Sequence, residues 1–198
     1  MSGVGWRPPS AWIGLSVCVL GSALSVPPAR SLIEQSMVWH MVVQMPMLVA
    51  GGWLLAGSSI DRPGTRRFSD WNQYGLTGFI VSQLIAAYWM LPLTIDRAVV
   101  LPQADALKLL SLVACGGMLK ASFTRSPAVL QMFFVGYAVS MLVSAGVFLA
   151  TTDRRLCNAY SLDTQWNAGI GVAALGIALG CAWAWQLVRG NLQPARSS

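Results

Sequence analysis

Long apolar blocks set off by isolated charges dominate this sequence. Stretches free of Asp, Glu, Lys and Arg cover residues 8–29, 35–60, 71–95, 126–152 and 164–188, which are 22, 26, 25, 27 and 25 residues long. A helix that crosses a bilayer needs about 20 mostly apolar residues, so each block predicts a membrane span. A sixth span is expected between Lys108 and Lys120, although only 11 uncharged residues, LLSLVACGGML, separate them. That core is too short unless both lysines lay their stems along the helix and send their ammonium groups to opposite interfaces. The interval between Asp105 and Arg125 then accommodates a helix over 106–123. The expected fold is all-α: a polytopic transmembrane helical bundle forming a single integral membrane domain over residues 1–198. Its six spans lie near 10–28, 35–57, 72–93, 106–123, 127–150 and 166–187.

Composition agrees with this pattern. Hydrophobic residues make up 55% of the chain and charged residues only 10%, against about 25% charged in soluble domains. A soluble enzyme, a disordered chain, a disulfide-stapled secreted domain and a DNA-binding module are excluded, and the lipid bilayer is the expected surrounding. With six spans the 13 basic residues divide by side. Arg7, Arg62, Arg66, Arg67, Lys120, Arg125, Arg189 and Arg196 share one, while Arg30, Arg97, Lys108, Arg154 and Arg155 share the other with most of the acids. The positive-inside rule reads the first side as cytoplasmic and places both termini there. The net charge of +6 is therefore topological. Basic residues flank spans instead of lining one face, so no nucleic-acid partner is expected.

The first block also has a second reading. Arg7 followed by AWIGLSVCVLGSALS has the layout of a signal peptide. A poorly formed cleavage site before Pro27 and Pro28, Trp12, and an inside-facing N-terminus suit a retained helix better. Trp12, Trp53, Trp71, Trp183 and Trp185 fall near predicted inner ends, and Trp39, Trp89 and Trp166 near outer ones, as interfacial belts do. Small residues recur four apart at Gly136, Ser140 and Ser144 and again at Gly176 and Gly180, a spacing that lets helices approach within the bundle.

Chemistry is sparse. Cys18, Cys115 and Cys181 sit inside spans, Cys157 lies in an outer loop, and no CxxC spacing offers a redox or zinc site. One segment concentrates soft donors: residues 37–47 hold the single histidine and four of the nine methionines. On a helix Met37, Met41 and Met45 form one row and His40 with Gln44 the next. Imidazole and thioether donors suit copper, Cu(I) above all, and a polar residue inside a span faces the bundle interior or a cavity. Methionine is equally a filler of irregular apolar gaps. A lone histidine cannot supply two imidazoles to a haem. Gln83, Tyr88 and Met118 are further candidates for the interior, whereas Asp96, Arg97, Arg154, Arg155, Asp163 and Gln165 read as a solvated outer rim.

The run His40-Met41-Val42-Val43-Gln44-Met45-Pro46 resembles the second-helix signature of CtaG-like proteins, the cytochrome c oxidase assembly factors associated with copper delivery. Asp163-Thr164-Gln165-Trp166-Asn167-Ala168-Gly169 is similar to that family's entry into its final helix. This chain departs from the pattern in three ways. Gln44 stands where the family has a second histidine, Thr164 interrupts the Asp-Gln pair, and the further histidines of later helices are absent. The resemblance implies a multi-pass protein of a bacterial-type inner membrane that assists assembly or copper loading of a metalloenzyme such as a haem–copper oxidase. Met37, His40, Met41, Gln44 and Met45 would then be metal ligands, and no residue would make or break bonds. The competing expectation is a non-catalytic accessory or structural subunit of a larger membrane complex, packed against its other subunits. A transporter is disfavoured by the absence of inverted repeats and of a charge deep in a span. An intramembrane enzyme is disfavoured because a lone histidine has no carboxylate partner at membrane depth.

Overall fold

A computed structural model describes residues 9–25, 36–57, 71–156 and 162–192. Among these residues the chain is all-helical. Helix α1 covers Pro9–Ala23, and a π-helical segment Trp39–Gln44 leads into α2, Met45–Ala56. Helices α3, Leu76–Trp89, and α4, Pro92–Val100, follow. Helices α5, Pro102–Phe123, α6, Ala128–Thr151, and α7, Leu162–Leu192, complete the chain. Four helical stretches are long and apolar enough to cross a membrane: Trp39–Ala56, Pro102–Phe123, Ala128–Thr151 and Leu162–Arg189. Counting the bent pair formed by Gln73–Trp89 and Pro92–Val100 makes five, and Ser10–Ala23 is a shorter apolar helix. The apolar blocks thus became helices, and among the described residues four, or five with the bent pair, are long and apolar enough to cross, against the expected six.

Two of the expected spans differ in shape, each for a local reason. The span expected over 72–93 stops at Trp89, because Leu91 precedes Pro92 and takes extended backbone (φ −74°, ψ 127°). A residue before proline is driven out of the helical region. Helix α4 leaves at 73° to α3, and the Thr94 hydroxyl closes the corner by donating to the carbonyls of Tyr88 (2.7 Å) and Leu91 (2.8 Å). In the second span Pro46 lacks an N–H and its ring crowds the carbonyl four residues back. The chain widens there to i→i+5 bonding, with the Met45 N–H donating to the His40 carbonyl. Such π-turns accommodate an interrupted ladder. Residues 24–28 of the first expected span extend past α1, and 26–28 fall outside the described residues, as do Arg30, Arg62, Arg66, Arg67 and Cys157.

Glycines set the helix crossings. A β-carbon on Gly52 would strike the Val113 carbonyl and one on Gly116 the Val49 carbonyl, so α2 and α5 touch backbone to backbone. A β-carbon on Gly51 would meet the Cys18 thiol of α1 first and the Cys18 backbone nitrogen at 3.1 Å. Gly146 and Gly169 join α6 to α7, with Ala150 and Ala173 one turn further on. Close approach through small residues gains dispersion contacts where lipid supplies no hydrophobic drive. Gly176 and Gly180 also pack inside the bundle, against Leu142 and Val139 of α6, but Gly136 has open space above it. Gly136, Ser140 and Ser144 all face outward. The second small-residue row is therefore a packing face and the first is not.

Polar side chains brace the ends. Gln165, expected on a solvated rim, is buried. Its amide nitrogen donates to the carbonyls of Leu149, Arg154 and Thr152 (3.2–3.3 Å), and its oxygen accepts from the Leu156 N–H at 3.0 Å. It holds the α6–α7 turn together. Trp89 is buried too, donating to Ser111 at 2.9 Å, and so leaves the outer tryptophan belt. At the opposite end Asn72 accepts from the Gly78 N–H (2.9 Å) and donates to Ser122 (3.2 Å), with Gly75 at φ 77° pressed against Ser122. A ring cluster of Trp53, Phe123, Phe79 and Phe134 ties α2, α5, α3 and α6 together there.

Candidate functional site

All five residues singled out as metal ligands are buried. Met37, Met41 and Met45 belong to the main hydrophobic core with Leu48, Trp89, Ile95, Ala98, Leu112, Leu142, Leu149, Ala168 and Val172. His40 and Gln44 are buried among them. The π-turn before Pro46 thus brings both rows of the segment into the interior. The methionines span eight residues, about 12 Å along a helix axis, so one ion would reach at most part of the row.

Gln44 is fully engaged. Its Nε2 donates to the Gly21 carbonyl (3.0 Å) and to Ser25 Oγ (2.9 Å), and its Oε1 accepts from Lys108 Nζ at 3.4 Å. Lys108 corrects the reading of a lysine that snorkels to an interface. It is only 1% exposed, sits about 9 Å into α5, and pairs with Asp105 Oδ1 at 2.6 Å. Ser25 donates to that same carboxylate at 3.4 Å. The Asp105 side chain keeps 14% exposure, so the pair opens toward one end of the bundle. The centre therefore joins α1 (Gly21, with Ser25 just beyond its end), the π-segment (Gln44) and α5 (Asp105, Lys108).

Sequence reasoning singled out Gln44 and missed the charged pair. The signal available was the i, i+3 spacing of Asp105 and Lys108, which places opposite charges on one helix face. Other expected interior residues are divided. Gln83 crosses from α3 to donate to the Phe134 carbonyl at 3.1 Å, but Tyr88 is 45% exposed and faces outward.

The fit to a resident copper ion is poor as the side chains stand. Gln44 Oε1 already faces the Lys108 ammonium, and the thioethers serve as core packing. Among the described residues, no group of three or more His, Cys, Asp or Glu side chains is placed to hold a metal.

What the arrangement offers chemically is a buried, neutralised ion pair inside an apolar bundle. Its acceptors are fixed by hydrogen bonds from three directions. Comparison with protein families, characterised proteins and solved structures finds no match.

Proposed function

We propose that this chain is a CtaG-like integral membrane factor that supports a membrane metalloenzyme such as a haem–copper oxidase, acting as a non-catalytic assembly or accessory subunit. One observation carries the reading. The segment 40–46 packs against α7, the helix that the second segment, 163–169, opens, although the two lie far apart in sequence. Met41 and Ala168 share the core, and a β-carbon on Gly171 would lie 2.7 Å from Val42. Two motifs of one family are expected to meet if they serve one structural purpose.

In this proposal the six-span layout stands, with α1 as the first span, both termini cytoplasmic, and the bundle in a bacterial-type inner membrane. The crossings support that alternation. α2 and α5 run parallel, while α1 and α3 run antiparallel to them. In this reading its work is done by packing, in keeping with the short described loops. Copper handling by His40 with Met37, Met41 and Met45 is the second reading, favoured by the gathering of soft donors in one interior segment.

The test is extraction of the tagged chain in mild detergent from the membrane of a host carrying its client. Stoichiometric co-purification with a large metalloenzyme complex is expected. Recovery as a free monomer alone sinks the accessory role.

A further inference from the structure

The chain reverses direction between Trp89, at the end of α3, and Pro102, at the start of α5. The two helices pack antiparallel, with Trp89 bonded to Ser111 and Ser82 to the Cys115 carbonyl. Helix α4 fills that reversal. It leaves α3 at 73°, so its nine residues advance only about 4 Å along the α3 axis and about 13 Å across it. The stretch Gln73–Trp89 is by itself about 25 Å long, close to the roughly 30 Å of a hydrocarbon layer. α4 adds little to that crossing. Its two faces differ. Thr94, Ile95 and Ala98 are buried, the last two in the main core. On the opposite side Leu93, Arg97 and Val100 form an exposed i, i+4, i+7 row, Leu93 at 63% and Val100 at 74%. Leu91 and Leu101 are exposed at the two ends of the helix.

We propose that α4 lies in the plane of the membrane, with Leu93, Val100 and Leu101 at the boundary of headgroups and acyl chains and Arg97 on the phosphate of an anionic phospholipid. The bend sets the orientation. Membrane helices tilt by about 20° on average, which leaves α4 at least about 50° from the bilayer normal. The exposed row sets the depth. Leu91, Leu93, Val100 and Leu101 would stand in water if α4 lay beyond the interface, and the Arg97 guanidinium would stand in hydrocarbon if it lay deeper. The boundary suits both, since an arginine stem follows the acyl chains while its planar head meets phosphate. Asp96 lies off the row and is partly buried, so the row itself is positively charged. Helices that lie on a bilayer combine apolar and cationic side chains in this manner. The proposal rests on the bilayer setting alone and is independent of the accessory role.

The experiment is site-directed spin labelling of the full chain, its native cysteines replaced, in vesicles of phosphatidylcholine and phosphatidylglycerol. Nitroxides at Leu93→Cys and Val100→Cys replace exposed side chains, about 10 Å apart along α4. Their depths, from the ratio of oxygen to nickel-chelate accessibility, are expected to agree to about 3 Å, both just below the phosphates. A difference above about 6 Å, the most that an α3 tilt of about 20° permits, overturns the proposal. So does access of both labels chiefly to the nickel chelate, which would put α4 in water. Shielding of both labels from either reagent overturns it too, because a protein would then cover the row. For Arg97, a bimane at position 100 is quenched by lipids carrying a nitroxide high on the acyl chain. Labelled phosphatidylglycerol is expected to be favoured over labelled phosphatidylcholine about fivefold, the effect of one basic residue at an anionic surface. Arg97→Gln is expected to abolish that preference and Arg97→Lys to keep it. Equal quenching by the two lipids with Arg97 in place, or a preference that survives Arg97→Gln, overturns the phosphate contact. Co-purification with a complex is read separately, so the accessory role stands or falls by itself.

Discussion

Gly146 and Gly169 face each other at the crossing of α6 and α7, where a β-carbon on either would lie 2.5 Å from the carbonyl oxygen of the other. The two backbones are in contact, and neither position has room for a side chain. Gly169→Val is therefore expected to destabilise the α6–α7 pair by about 1–3 kcal/mol, the usual cost of overpacking. Gly136→Ala, ten residues before Gly146 and with nothing within 4 Å, is expected to gain roughly 0.5–1 kcal/mol by helix propensity. Thermal melts of the two variants in one detergent check the contrast. Equal effects would remove the crossing assigned to Gly146 and Gly169.

The Asp105–Lys108 pair predicts a non-additive cycle. Asp105→Asn leaves a buried ammonium without its carboxylate, and loss of one partner from such a pair typically costs about 3–5 kcal/mol. Changing both residues to apolar side chains of similar size is expected to cost far less than the two single changes summed. Unfolding in denaturant, measured on all four proteins of the cycle, gives the coupling directly. An additive cycle would mean that the two charges do not interact.

Gln165 offers a test of the turn between α6 and α7. Gln165→Ala removes hydrogen bonds to buried carbonyls of Leu149 and Thr152. A loss of roughly 2–3 kcal/mol is expected from the buried groups left unsatisfied. Trp166→Ala, at an exposed neighbour, is expected to change far less. Proteolytic nicking between α6 and α7 should rise only in the first variant.

Topology can be read by labelling. Single cysteines placed at Arg125 and at Asp153, in a background with the native cysteines replaced, lie at opposite ends of α6. With both termini cytoplasmic, a membrane-impermeant maleimide added outside spheroplasts is expected to label position 153 and spare 125. The reverse pattern would invert the proposed orientation.

His40→Ala with Met41→Ala separates packing from ligation. Both residues are buried in the core, and truncating Met41 alone should cost about 2–5 kcal/mol. If the segment is structural, stability falls while Cu(I) binding is the same in the variant as in wild type. Abolition of a stoichiometric Cu(I) site in the double variant would instead support copper handling.

Much of this architecture was legible in the spacing of charges. A charged side chain inside a hydrocarbon layer is costly, so gaps of membrane length between charges mark helices whatever their neighbours are. The resemblance segments could be located for the same reason, since His40 to Pro46 and Asp163 to Gly169 are local strings. Lys108 was misread because a lysine stem can run outward to an interface or inward to a partner from the same helix position. The choice rested on Gln44, 64 residues away, and on Ser25 beyond the end of α1. Trp89 left the interfacial belt for a similar reason, its N–H finding Ser111 on another helix.

By itself the sequence determined the class of molecule: an all-helical chain whose apolar blocks match a bilayer, with glycines enough to bring helices together. Pro46 and Pro92 even marked where two of those helices would change their course, because a ring without an N–H disturbs any ladder it enters. Only the tertiary structure decided which small residues meet and which rows face inward. It alone placed the carboxylate, amide and hydroxyl around Lys108. Those outcomes depend on pairings between distant segments, and a linear pattern records the periodicity of one helix but not the identity of the helix packed against it.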